Sequence, residues 1–129
     1  MVKLYRVILP VTDIEAATHF YSQVLGQSGE RVSPGRHYFN CGGVVLACYE
    51  PGADGDDLGS GWKHHYNEYI YFSVSDLEET LRRLVAAGGE IERPVGTRPW
   101  GETMFYAKDP FGNNISFVAE STVFTGSLR

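Results

Sequence analysis

The sequence predicts an α+β fold: two tandem βαβββ modules whose strands form a curved mixed sheet around a cleft. Three observations predict it. Residues 7–26, VILPVTDIEAATHFYSQVLG, and residues 70–89, IYFSVSDLEETLRRLVAAGG, align without a gap and carry Asp13 on to Asp76, an offset of 63 residues. In each copy an apolar run of β character leads into a helical pattern and then into strand-like pieces closed by a glycine turn. Between the copies, PGADGDDLGSGWKHH (51–65) is rich in Gly and Asp without periodicity and reads as a connection. The whole chain, 1–129, is then one domain, with a first module at 1–50, a linker loop at 51–66, a second module at 67–120 and a C-terminal tail at 121–129.

In the first strand, alternation puts Val7, Leu9 and Val11 under the helix and turns Leu4, Arg6 and Ile8 to the other side. The Thr12-Asp13 pair offers a side-chain oxygen as N-cap to a helix of about three turns. Ile14, Ala17, Phe20, Tyr21 and Val24 form its buried stripe, and Gly26 suits a left-handed stop. RHYFNCGGVVLACYE follows as a hairpin, with Val45, Ala47 and Tyr49 opposite Val44, Leu46 and Cys48. The second copy repeats this grammar. Tyr69, Tyr71 and Ser73 oppose Ile70, Phe72 and Val74; Ser75-Asp76 caps a helix with Leu77, Leu81, Leu84 and Val85 on its buried stripe; Gly88-Gly89 stops it. In the closing hairpin, ETMFYAKDPFGNNISFVAE, Asn114, Ser116 and Val118 oppose Ile115 and Phe117, and aligning Gly43 with Gly112 brings Ala47 on to Ser116.

Composition narrows the function. A chain that is 43% hydrophobic and 21% charged can bury a core, and its net charge of -5 with no Lys/Arg run argues against nucleic acid or an anionic membrane as partner. No apolar run approaches the ~20 residues of a membrane span, and the start shows no signal-peptide cleavage site, so a cytoplasmic location is expected. Cys41 and Cys48 fall at different depths of one hairpin and are expected as reduced thiols. Ser116 has no evident His partner, neither cysteine has a neighbouring cation in sequence, and no phosphate-loop spacing occurs.

LPVTDIEAATHFYSQVLG resembles the opening of the vicinal oxygen chelate superfamily, which includes glyoxalases, bleomycin-resistance proteins and extradiol dioxygenases, and DPFGNNISFVAE resembles its closing strand. The resemblance covers nearly the whole chain, in both repeats. It implies the paired-module fold, a homodimer, and a divalent metal held by His or Glu from the first and last strands of each module. Carried over residue by residue, the four ligand positions fall on Arg6, Ala47, Tyr69 and Ser116, where the usual His and Glu are missing. A fixed cation, a methyl group, a phenol and a neutral hydroxyl make a poor donor set, so no metal is expected there.

Without a metal, the expected cleft lining is a ligand-binding set of Arg6, Tyr49, Tyr69, Tyr71, Trp100, Asn114 and Ser116, together with Leu4, Ile8, Val45 and Val118. Arg6 serves either a ligand's carboxylate or phosphate or a structural pair with Glu120 or Glu68. Trp100, braced by Pro99 and Gly101, lies either over a ligand or in an interface. The leading expectation is a small-molecule-binding protein for an aromatic or anionic compound, as in antibiotic sequestration, with no cofactor and no assigned catalytic residue. One alternative is a metal-dependent glyoxalase-like lyase, isomerase or dioxygenase whose ion sits at a non-standard site drawn from His37, Glu50, His64, His65 or Glu102. The other is an interaction module with no small ligand.

Overall fold

The computed structural model describes residues 2–57 and 68–125 and divides into two units, Met1–His65 and Tyr66–Arg129. The first unit runs β1 (Arg6–Pro10), α1 (Ile14–Leu25), β2 (Glu30–Ser33), β3 (Arg36–Cys41) and β4 (Val44–Tyr49), then a 3-10 turn at Pro51–Asp54. The second runs β5 (Tyr69–Val74), α2 (Leu77–Ala86), β6 (Glu90–Thr97), β7 (Thr103–Lys108) and β8 (Asn114–Ala119), then a 3-10 turn at Glu120–Thr122. Each therefore has the strand, helix and three-strand order read from the sequence. Each sheet is mixed, in the orders β1-β4-β3-β2 and β5-β8-β7-β6, with the first strand parallel to the last.

Both helices start as their sequences specify. Asp13 accepts from the Ala16 N–H and Asp76 from the Glu79 N–H, each at 3.0 Å, satisfying donors that a helix start leaves open. Gly26 ends α1 at φ 69°, a conformation that a Cβ would strain. Ile14, Ala17, Phe20, Tyr21 and Val24 are all buried, as their spacing requires. On α2 the buried stripe is Leu77, Thr80 and Leu84, and it corrects one expectation: Val85 is 53% exposed. Steps of three and four from Leu77 reach residues 80 and 84, and residue 85 lies a further 100° round the helix. Thr80 is tolerated there because its hydroxyl donates to the Asp76 carbonyl at 2.9 Å.

The first strand of each sheet obeys the predicted parity, whereas β4 and β8, between two neighbours, are buried on both sides over most of their length. Leu9 and Val11 are buried while Leu4, Arg6 and Ile8 are exposed, and Tyr69, Tyr71 and Ser73 are exposed while Ile70, Phe72 and Val74 are half-buried. In the second unit Phe117 stacks on Phe72 and Phe105, with ring centroids 5.1 and 5.2 Å apart. Cys41 and Cys48 are free thiols, paired in the β3–β4 ladder with Val44 and His37. Among the described residues no helix is long and apolar enough to cross a membrane.

The start of the connection is fastened to the first unit. Asp54 accepts from the Ser33 hydroxyl at 2.8 Å, from the Gly35 N–H at 2.5 Å and from the Arg36 guanidinium, with its side chain 7% exposed. Those donors hold its carboxyl below the usual range, although burial alone would push it upward. Asp56 takes the Tyr49 hydroxyl, and Arg36 lies 4.1 Å from the Tyr49 ring centroid. Glu50 caps α1 from outside, accepting from the Ile14 N–H at 2.8 Å.

Candidate functional site: the tyrosine face of the second unit

The DPFGN turn sets the register of the site. Asp109 is buried and accepts from the Phe111 and Asn113 N–H groups at 2.9 and 2.8 Å and from the Asn113 amide at 2.8 Å. That Asx-type cage, with Gly112 at φ 85°, closes the β7–β8 hairpin in one register. Ser116 then lies across the ladders from Tyr71 on β5 and Tyr106 on β7. A slip of one residue would exchange it for Ile115 or Phe117.

Three phenols gather on this face. The Tyr69 ring is 6.3 Å from Tyr71 and 6.0 Å from Tyr106, the latter edge-on, as aromatic quadrupoles favour. Desolvation, then the Tyr106 phenol, then Tyr69 and the Glu102 carboxylate, hold Tyr71 above the ordinary phenol range. It is therefore a neutral hydrogen-bonding group at physiological pH. Met104, Tyr106 and Val118 form a buried apolar cluster against which Val123 packs; Thr122 anchors this return by accepting from the Thr103 N–H at 3.1 Å. Two arginines sit on Tyr106, with Arg93 5.5 Å and Arg98 5.2 Å from its ring centroid.

At the centre is a polar group in debt: Ser116 is 0% exposed, and its hydroxyl has no hydrogen-bond partner among the described residues. Buried hydroxyls are nearly always bonded, so this one sets a cost in folding that the tyrosine face above it does not offset.

The other anticipated residues divide. Tyr69, Tyr71 and Ser116 share this face. Asn114 is buried beside them with its amide engaged at both ends, by Lys108 at 2.8 Å and the Glu68 carbonyl at 3.1 Å. Trp100 is 61% exposed on the β6–β7 turn, its indole N–H donating to Glu102 at 2.8 Å. Arg6 and Tyr49 belong to the first unit. Arg6 donates to the Tyr38 hydroxyl of its own unit at 3.0 Å, and Tyr49 is held by Asp56 and Arg36. Tyr38, Tyr106, Arg93 and Arg98 were missing from the sequence reading. Strand parity on β7, where Met104, Tyr106 and Lys108 alternate with Phe105 and Ala107, was the signal available for Tyr106.

The four positions to which the family resemblance carries the metal ligands hold residues that do not fit a divalent ion. In the first unit Ala47 is buried with no donor atom, and Arg6 is a cation already bonded to Tyr38. In the second, Ser116 offers only a neutral hydroxyl and Tyr69 a phenol. Among the described residues no group of three His, Cys, Asp or Glu side chains is placed to hold a metal. Of the alternative ligands, His37 is buried between the Ser28 carbonyl at 2.8 Å and Arg31 Nε at 3.2 Å, Glu50 caps α1, and Glu102 holds Trp100. His64 and His65 lie outside the described residues.

Residues 3–117 match the family model of the Glyoxalase/Bleomycin resistance protein/Dioxygenase superfamily. The chain belongs to that superfamily. It is similar to a probable lactoylglutathione lyase of Vibrio parahaemolyticus, 26% identical with 96% of this chain and 95% of the relative covered. It is also similar to a lactoylglutathione lyase of Escherichia coli O157:H7, 27% identical over 96% of this chain and 97% of the relative. A crystal structure of a glyoxalase-related enzyme from Fulvimarina pelagi shares the fold at a TM-score of 0.77 and 24% identity, covering 98% of this chain and 94% of that one. Superfamily membership thus accounts for the doubled βαβββ order and the mixed sheets.

Proposed function

We propose that this superfamily member binds a small aromatic or anionic molecule on the tyrosine face of its second unit, sequestering it without a metal at the inherited positions. The observation that carries the reading is the accessible aromatic face of the second unit, where Tyr69 and Tyr71 stand 43% and 53% exposed with the Tyr69 ring against both Tyr71 and Tyr106. Aromatic area with a few fixed polar groups is the usual make-up of a small-molecule site. Thermal shift across a panel of aromatic acids and aromatic-containing peptide antibiotics tests it, since a bound ligand raises the melting temperature once its concentration exceeds the Kd. Stabilisation that weakens in Tyr106→Ala supports the reading, and no stabilisation by any compound overturns it. We assign the protein to the cytoplasm as a homodimer, the state that its family implies; light scattering behind size-exclusion chromatography reads the dimer.

A second reading is a metal-dependent lyase, favoured by the names of the relatives at 26% and 27% identity. It requires relocated ligands. Metal analysis of protein purified without chelators separates the two: stoichiometric Ni, Zn, Mn or Fe favours the lyase.

A further inference from the structure

Each unit lays an arginine on a tyrosine across an antiparallel ladder. In the first, Arg36 on β3 stands opposite Tyr49 on β4, its Cζ 4.1 Å from the ring centroid. In the second, Arg93 on β6 stands opposite Tyr106 on β7, 5.5 Å from the centroid. A ring in this position steadies the guanidinium and leaves the N–H edge of its planar fork open.

The two pairs differ in what fills that edge. Arg36 meets the Asp54 carboxylate, and its Nη2 lies 3.8 Å from Asp56, which also takes the Tyr49 hydroxyl. Arg6, Arg31, Arg82, Arg83 and Arg98 likewise donate to acceptors of the protein. Arg93 is exposed and, among the described residues, has neither a hydrogen bond nor an ion pair, although the chain carries 16 acidic residues. Glu92, beside it on β6, is engaged by Lys108 at 3.3 Å.

Two bulges put Arg93 in its place. Ile91 pairs with Ala107, Arg93 with Tyr106 and Gly96 with Met104, so β6 carries one extra residue on each side of Arg93. In an unbroken ladder Glu92 would stand opposite Tyr106, and a carboxylate would meet the negative face of the ring. Bulges re-aim side chains in this way beside binding sites. The row that begins at Arg93 and Tyr106 continues across the sheet through Ser116 to Tyr71. Tyr106 is the common neighbour, with Arg93 at 5.5 Å on its β6 side and the Tyr69 ring at 6.0 Å. Cation and exposed rings therefore share one face.

Building on the aromatic-ligand reading, we infer that Arg93 is the anion-recognition residue of the tyrosine face, and that the preferred ligand is an aromatic carboxylate. Its ring lies on the exposed Tyr69 and Tyr71, and its carboxylate, carried past Tyr106 on a short alkyl spacer, takes the open edge of Arg93 as Asp54 takes that of Arg36. A guanidinium binds a carboxylate by charge-assisted bonds that a neutral amide cannot match. Arg93 selects the charge of the ligand, and the tyrosines supply area common to charged and neutral rings.

The test is calorimetric titration of the full chain at neutral pH with 4-(2-naphthyl)butyrate and with the corresponding neutral amide. The expected result is at least about tenfold tighter binding of the carboxylate. Arg93→Gln should bring the carboxylate down to the affinity of the amide and leave the amide unchanged. Arg93→Lys, which keeps the charge but loses the planar fork, should fall between. Melting curves of both variants establish that they fold. Equal affinities for the two probes in the wild type, or a preference for the carboxylate that survives Arg93→Gln, would overturn the role of Arg93 while leaving the aromatic reading intact. Failure of both probes to bind at millimolar concentration would overturn the two together.

Discussion

Replacing Ser116 by Ala should make the ligand-free protein more stable, the reverse of the usual effect of a core substitution. The hydroxyl is 0% exposed and has no partner among the described residues, so folding strips it of water without returning a hydrogen bond. Mutational data put that cost at about 1–3 kcal/mol. Loss of one oxygen leaves too small a gap to offset it, since the β-carbon and its neighbours stay in place. A net gain of about 1 kcal/mol is expected, or about 3–6 °C in Tm for a chain of this size. Urea unfolding at constant m-value is the appropriate assay, with tryptophan fluorescence in a Trp62→Phe background reporting on the second unit through Trp100 and far-UV dichroism on both. A loss of 1 kcal/mol or more without ligand would show that the hydroxyl is bonded in the folded protein, and the reasoning would fail at its root.

Three further outcomes can be checked. Because its partners hold the folded Asp54 carboxyl below its unfolded value, stability is present above the unfolded pKa and lost as pH falls through the folded one. Acid unfolding of the first unit, followed by hydrogen exchange at Gly35 and Arg36, should therefore lose part of its pH dependence in Asp54→Asn. Gly89→Ala should cost about 1–3 kcal/mol in urea titrations, since its Cβ would come within 2.5 Å of Leu84 Cδ2 and 3.1 Å of the Leu84 carbonyl oxygen. Tyr71 is held above the ordinary phenol range, so its stabilising contribution is complete below the unfolded pKa and lost as pH rises through the folded one. Ultraviolet difference titration should accordingly lose a late phenol transition in Tyr71→Phe, while the one belonging to Tyr49, also held above the ordinary range by its bond to Asp56, stays.

Local rules made much of the fold legible. Asp13 and Asp76 announced two helix starts because capping is decided within four residues, and alternation told Tyr69 and Tyr71 from Ile70 and Phe72 because a strand has only two sides. Val85 went wrong for a geometric reason: a stripe counted in threes and fours tolerates one more apolar residue than the sheet can cover. Of the site, the first- and last-strand members were readable from the repeat, and Ser116 followed from the DPFGN turn. Arg93 and Arg98 were not, because the β6–β7 ladder shifts on both sides of Arg93, which sets Arg93 opposite Tyr106 in a register that no local pattern records. The Asp54 clamp was equally hidden; a Gly/Asp-rich stretch looks like connection whether or not its carboxylates are spoken for.

That clamp has a practical bearing on any attempt to produce the halves separately. A gene fragment ending at Glu50 would carry Ser33, Gly35 and Arg36 with no carboxylate to gather them, and Tyr49 without Asp56. The β2–β3 hairpin would lose its knot. A fragment continued through Asp57 keeps both acids, so the natural severing point lies downstream of the aspartates.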